Sequence, residues 1–193
     1  HPYRPARSVK EIIALAKAKP QGLNKASAGV GAESHLAGIM FVSLSGIETV
    51  HVPYKGGGPM AAAVVAGEAQ WAISPAAALM GHIKAARMRA LAISSASRSP
   101  LMPELPTIAE AGVPGYEYTS WNGIFAPRGT PRPIVAKLHA EVVKSLQHPE
   151  VKAFMTREGA DPVGNSPAQA AAFVGQEVEK YAKIIRSAGI TPE

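Results

Sequence analysis

The stretch Leu23-Asn24-Lys25-Ala26-Ser27-Ala28-Gly29-Val30-Gly31-Ala32-Glu33-Ser34-His35 decides the fold. Leu23–Ala28 is a short, mostly apolar run that predicts a strand. Small residues then turn the chain, and Leu36, Ile39, Met40, Val42 and Leu44 predict a helix. Outward from it, strand-like runs recur at Thr49–Pro53, Gln70–Ser74, Arg89–Ser94 and Gly123–Ala126. Each ends in Gly, Ser or Pro, and helical patterns lie between them. Such alternation predicts α/β architecture with a parallel sheet flanked by helices.

Helix signals frame these runs. Ser8-Val9-Lys10-Glu11, Thr107-Ile108-Ala109-Glu110 and Ser166-Pro167-Ala168-Gln169 are capping boxes. The first opens a helix stopped by Pro20-Gln21-Gly22. The second is closed early by Gly112, and the third runs to about Ala188, stopped by Gly189. Pro131 opens another helix, and Pro149–Glu158 predicts a short one ended by Gly159. The chain divides into residues 1–120, with most of the strands, and residues 121–193, with one strand and three helices. One strand cannot balance three helices in a layer, so the second segment needs strands from elsewhere. Trp121, at the join, is expected in core packing, with a place near an interface or cleft as the alternative.

Composition narrows the function. The 193 residues are 47% hydrophobic and 18% charged, which excludes a disordered chain. Zero Cys excludes a disulfide framework, a cysteine zinc site and a thiol nucleophile. The net charge of +6 favours anionic partners. Lys and Arg are nevertheless scattered, without the basic helix or stacking aromatics of a nucleic-acid reader. The apolar stretches Met60–Gly67 and Pro75–Gly81 are too short to span a bilayer. His1–Arg7 lacks the features of a signal peptide.

Three strand ends carry candidate chemistry. The turn Ser27–Ser34 feeds a helix N-terminus, where free amides and the helix dipole favour an anion. The alternative is a tight turn whose glycines serve backbone geometry. Gly29-x-Gly31 is followed by Ser34 rather than a third Gly, so it is not a dinucleotide fingerprint. Tyr54-Lys55-Gly56-Gly57-Gly58 offers a hydroxyl, a cation and exposed amides, but is not a Walker A loop. Ser74 either caps the next helix or faces a ligand. No nucleophile elbow or zinc-ligand helix is present, and the strand ends carry no acid pair. The histidines His35, His51, His82, His139 and His148 are expected to be structural or solvated.

Several blocks, taken in order, resemble one family. They are Ala26-Ser27-Ala28-Gly29 with Ser34-His35-Leu36-Ala37-Gly38, Val50-His51-Val52-Pro53-Tyr54-Lys55-Gly56, His82-Ile83-Lys84-Ala85 and Arg89-Ala90-Leu91-Ala92. They continue through Pro106-Thr107-Ile108-Ala109-Glu110-Ala111-Gly112-Val113-Pro114-Gly115-Tyr116, Ser120-Trp121 and Ala126-Pro127-Arg128-Gly129-Thr130-Pro131. Together they resemble the Bug family, the substrate receptors of tripartite tricarboxylate transporters.

The resemblance implies a type II periplasmic-binding-protein-like fold. It implies a periplasmic, non-enzymatic receptor with no cofactor or metal, closing two α/β lobes on a small carboxylate. Its cargo passes to a permease of one large and one small subunit. Residues 1–120 would be the second lobe. Residues 121–193 would be the C-terminal part of the first, whose N-terminal part is expected to lie outside this chain. Ser27, Ala28, Gly29, Val30, Gly31, Glu33 and Ser34 would form the ligand loop, with Tyr54 and Ser74 lining the same cleft.

Many relatives carry polar residues at the positions of Val30, Ala32 and Glu33, and Asp at that of Ser74. The departures predict a less polar or aromatic carboxylate, or weak binding. Glu33 would repel a carboxylate if it faced the cleft. The rival expectations are an α/β enzyme binding a phosphate or acyl group at the same helix start, and a self-associating fragment, a homodimer through its incomplete lobe.

Overall fold

The computed structural model describes residues 6–100 and 102–187. The chain runs α1 (Val9–Ala18), β1 (Asn24–Ser27), α2 (Glu33–Ser45), β2 (Val50–Pro53), α3 (Gly57–Ala66), β3 (Trp71–Ala72) and α4 (Ala76–Lys84). After a long irregular segment come α5 (Arg132–Gln147), α6 (Pro149–Glu158) and α7 (Pro167–Ser187). Contacts divide the chain into two compact units. Trp121–Lys183 is one, and the rest of the described chain is the other.

In the first unit the three strands are parallel, in the order β2-β1-β3. Lys25 stands opposite both His51 and Trp71, and Ala26 opposite both Val52 and Ala72. Side chains alternate across a strand, so Ala26 faces one way and Lys25 and Ser27 the other. Ala26 packs with Met60, Ala61 and Val64 of α3 and with Ala69 and Met88. Lys25 lies against Gly38 of α2. On the α2 side, Phe41 meets Trp71 at 5.1 Å and Tyr116 at 6.1 Å, and the Tyr116 hydroxyl donates to the Ala37 carbonyl. The central strand is thus covered on both faces, which is why its run reads as continuously buried.

The capping chemistry explains the helix starts. Ser8 Oγ accepts the Glu11 amide, and the Glu11 carboxylate accepts the Arg7 amide at 2.6 Å. Ser166 and Gln169 bond reciprocally ahead of α7. The expected stop at Ala188-Gly189 lies outside the described residues. α6 ends at Gly159, which adopts a left-handed φ of 72°.

Four expectations are corrected. The Thr107–Glu110 box forms both of its hydrogen bonds but caps only turns, because Gly112 and Pro114 follow at once. Arg89–Ser94 yields a single parallel bridge, Ile93 to Thr107. Pro106 has no amide to donate and Thr107 gives its own to Glu110, so the ladder cannot lengthen. Gly123–Ala126 is not a strand, and Ile124 is 80% exposed with no neighbouring strand to pair among the described residues. Ser74 does not cap α4: Pro75 holds the N-cap position without a side-chain cap. The residue before a proline is held extended, which leaves the Ser74 hydroxyl one position too early.

In the second unit, Trp121 is half-buried rather than in a core. Its Nε1 donates to Glu177 Oε2 at 3.2 Å, and its ring stands edge-on to Phe173 at 5.4 Å. Among the described residues of Trp121–Lys183, Glu177 alone is fully buried, and no apolar side chain is.

Candidate functional site

The chain leaves central β1 for β2 on one side, then crosses to β3 on the other. Connections diverge beyond the carboxyl ends of β1 and β3, the switch point at which open α/β sheets bind ligands. The loop after β1, Ala28–Ala32, and the segment Ile73-Ser74-Pro75 after β3 both begin there.

The β1 loop is tied down residue by residue. Ser27 is fully buried. Its Oγ donates to the Gly29 carbonyl at 3.1 Å, accepts the Gly29 amide at 3.2 Å, and lies 2.7 Å from His51 Nε2. The Ala28 amide donates to Ser34 Oγ at 2.8 Å, and the Gly31 amide to His35 Nδ1 at 3.1 Å. The Ala32 amide reaches the Gly29 carbonyl. Gly29 and Gly31 adopt φ of 144° and 73°, conformations that L side chains resist. Neighbouring β2 reinforces the loop: Tyr54 N–H donates to the Ser27 carbonyl and Gly56 N–H to the Ala28 carbonyl, both at 2.9 Å.

The two glycines therefore serve the turn, and their amides point inward. Among the described residues, the amides of Val30, Glu33 and Ser34 remain without a hydrogen-bond partner. Glu33 and Ser34 open the 13-residue helix α2, where the dipole adds to the amides' positive charge. Val30 is 62% exposed at the loop tip, and Glu33 is half-buried. Ser34 is buried, so the arrangement leaves three unpartnered amides at a helix start, a setting that favours an anion.

The other expected site residues sit less simply. Tyr54 is anchored through its backbone, but its hydroxyl turns to Glu68 Oε2 at 3.5 Å. Ser74 is half-buried between β3 and the Pro75 N-cap. Lys55 is exposed. Gly57 and Gly58 belong to the first turn of α3 rather than to a loop.

Sequence reasoning missed a buried polar cluster under the loop. His35 and His51 stack with ring centroids 3.9 Å apart and planes 8° from parallel. Lys25 lies beside them, 4% exposed, and no carboxylate pairs with it among the described residues. Burial lowers the Lys25 amine to about 8. Burial, then the charges of His35 and Lys25, hold His51 down to about 4, and burial with Lys25 also lowers His35. Both rings are thus neutral near pH 7. The signal available in sequence was a lysine inside a buried strand, two positions before Ser27. Ser27 and His51 are within catalytic distance, yet the serine is fully buried and its proton is given to Gly29, so the pair is structural. Among the described residues no three His, Cys, Asp or Glu side chains group as metal ligands, and no helix is long and apolar enough to cross a membrane.

A parallel sheet covered on both faces, with a loop suited to an anion at its switch point, is an arrangement that ligand-binding α/β proteins use. Solved structures share it. The chain superposes on "R. palustris Rpa4515 with adipate" with a TM-score of 0.92 and 36% identity, covering 99% of this chain and 64% of that one. It superposes on "Structure of periplasmic binding protein BugD" with a TM-score of 0.87 and 31% identity, covering 100% and 65%. A family model described as "Tripartite tricarboxylate transporter family receptor" matches residues 1–190, and the chain belongs to that family. Among curated relatives, it is similar to "UPF0065 protein in tcbD-tcbE intergenic region" from Pseudomonas sp. strain P51. The two are 38% identical over 180 residues, covering 93% of this chain and 54% of the relative. The chain spans about half the length of that relative.

Proposed function

We propose that this chain carries the carboxylate-binding loop of a periplasmic solute receptor. The receptor would deliver a small carboxylate to a tripartite transporter's permease of one large and one small subunit, without enzymatic turnover. The observation that carries the reading is the set of unpartnered amides of Val30, Glu33 and Ser34 at the start of α2, in a loop whose other amides are internally bonded. Ser27, Ala28, Gly29 and Gly31 would hold the loop's shape, and Tyr54 and Ser74 would flank it. The adipate in one structural neighbour supports a dicarboxylate as the first probe. Residues 1–120 are read as the ligand-binding lobe and 121–193 as the C-terminal part of the other.

Calorimetry with adipate and its shorter and longer dicarboxylate homologues tests this. The expected result is saturable binding that an amide-blocking Ser34→Pro change abolishes. Heat that never saturates for any dicarboxylate would remove the reading.

A further inference from the structure

Lys25 has no role yet, and its setting is unusual. It sits on the central strand, enclosed on the α2 side of the sheet, with no carboxylate partner among the described residues. A buried ammonium without a counter-ion is costly, and its proton affinity falls unless an anion compensates it. Its neighbours offer no negative charge. From β2 it faces His51 and from α2 His35. From β3 its register partner is Trp71, and the Tyr116 hydroxyl is bonded to the carbonyl of Ala37, next to Gly38. Glu33 is the single acid of α2 and stands at its first, loop-side position. Space for the lysine is set aside: a Cβ on Gly38 would lie 2.6 Å from its Cδ and 3.1 Å from its Nζ. The stacked histidines connect it to the loop, since His51 bonds Ser27 and His35 bonds the Gly31 amide.

We propose that Lys25 is the buried counter-charge for the carboxylate, selecting anionic ligands through the His35–His51 stack without touching them. This rests on the reading of the Ser27–Ser34 loop as a carboxylate site. Loop amides would fix the ligand's position, and the lysine behind them would supply net charge. Burial alone holds the amine near pH 8. An arriving carboxylate raises its proton affinity, so binding takes up protons around that pH. His35 and His51 stay neutral above pH 7 and do not contribute. Affinity is therefore highest below pH 8 and falls as the lysine loses its proton.

The test is calorimetry of adipate at pH 7 and 9, and at pH 8 in phosphate and in Tris, whose ionisation heats differ. If the ligand raises Lys25 by about one pK unit, affinity falls about five-fold from pH 7 to 9, and a fraction of a proton is taken up at pH 8. Lys25→Met, close in volume, should bind adipate about ten-fold more weakly at pH 7 and lose both pH effects. Flat affinity and no proton uptake in the wild type would overturn the role of Lys25 and leave the carboxylate reading standing. So would an unchanged affinity in Lys25→Met. Absence of adipate binding to the wild type at every pH would instead remove the carboxylate reading, and the proposal with it.

Discussion

Glu33 is where charge at the loop would oppose the proposed carboxylate. Its carboxylate suits the helix dipole but stands among the amides offered to an anion. Glu33→Gln should tighten adipate binding about three- to ten-fold, measured by calorimetry, from removal of one like charge at partly solvated range. Unchanged or weaker binding would count against a Glu33 that faces the ligand. The histidine stack makes a pH prediction. Unfolded imidazoles take up protons near 6.5, whereas folded His51 waits until about 4. The unfolded state thus binds more protons in that window, and melting temperature should fall as pH drops from 6.5 to 4. Lys25 acts in the same direction at higher pH: its folded value of about 8 lies below the ordinary 10.5, so stability should rise from about pH 8 to 9.5. Lys25→Met should flatten that rise. The turn at Ser27, Gly29 and Gly31 was legible because glycines after a strand end allow the positive φ that a tight turn requires. Lys25, His35 and His51 were not, because their meeting depends on strand register, which no local pattern encodes.

Elements were legible where their ends carry side-chain chemistry. Ser8–Glu11, Ser166–Gln169 and Gly159 announce α1, α7 and the end of α6 in the residues themselves. The strands at Arg89–Ser94 and Gly123–Ala126 failed because a strand is completed by its neighbour. Pro106 denies the first an extended ladder, and nothing in the described chain pairs with the second. The same dependence governs how α2 meets β1. Gly38 leaves the space Lys25 fills, so Gly38→Ala should forfeit the roughly 1 kcal/mol that alanine ordinarily gains in a helix interior, because its Cβ would displace the lysine, measured by chemical denaturation. Shortening Lys25 to Ala in that background should recover part of the loss. A double-mutant cycle with no coupling would mean that the two do not share the space.

At the scale of the whole molecule, the units differ in how much of their apolar surface they enclose. The buried hydrophobic side chains lie between Ala6 and Tyr118, whereas Phe125 is 69% and Phe154 54% exposed in Trp121–Lys183. The sequence foreshadowed this imbalance, since three helices with one strand-like run lack a layer to pack on. The chain should bind an environment-sensitive hydrophobic dye in its native state, and Phe125→Ser with Phe154→Ser should reduce the fluorescence. Equal fluorescence from the double variant would place the exposed apolar surface elsewhere.

Val30 stands at the tip of a loop otherwise fastened by its own hydrogen bonds, between two glycines that fix its course. The chain contains no cysteine. Val30→Cys would therefore be a unique attachment point for a fluorophore, beside the amides proposed to meet the carboxylate and outside the packed interior. Because the loop beneath is already rigid, a change in emission would register occupancy rather than wandering of the backbone. If the loop holds the proposed carboxylate, that combination would suit the chain to service as a reagentless optical sensor for small organic acids.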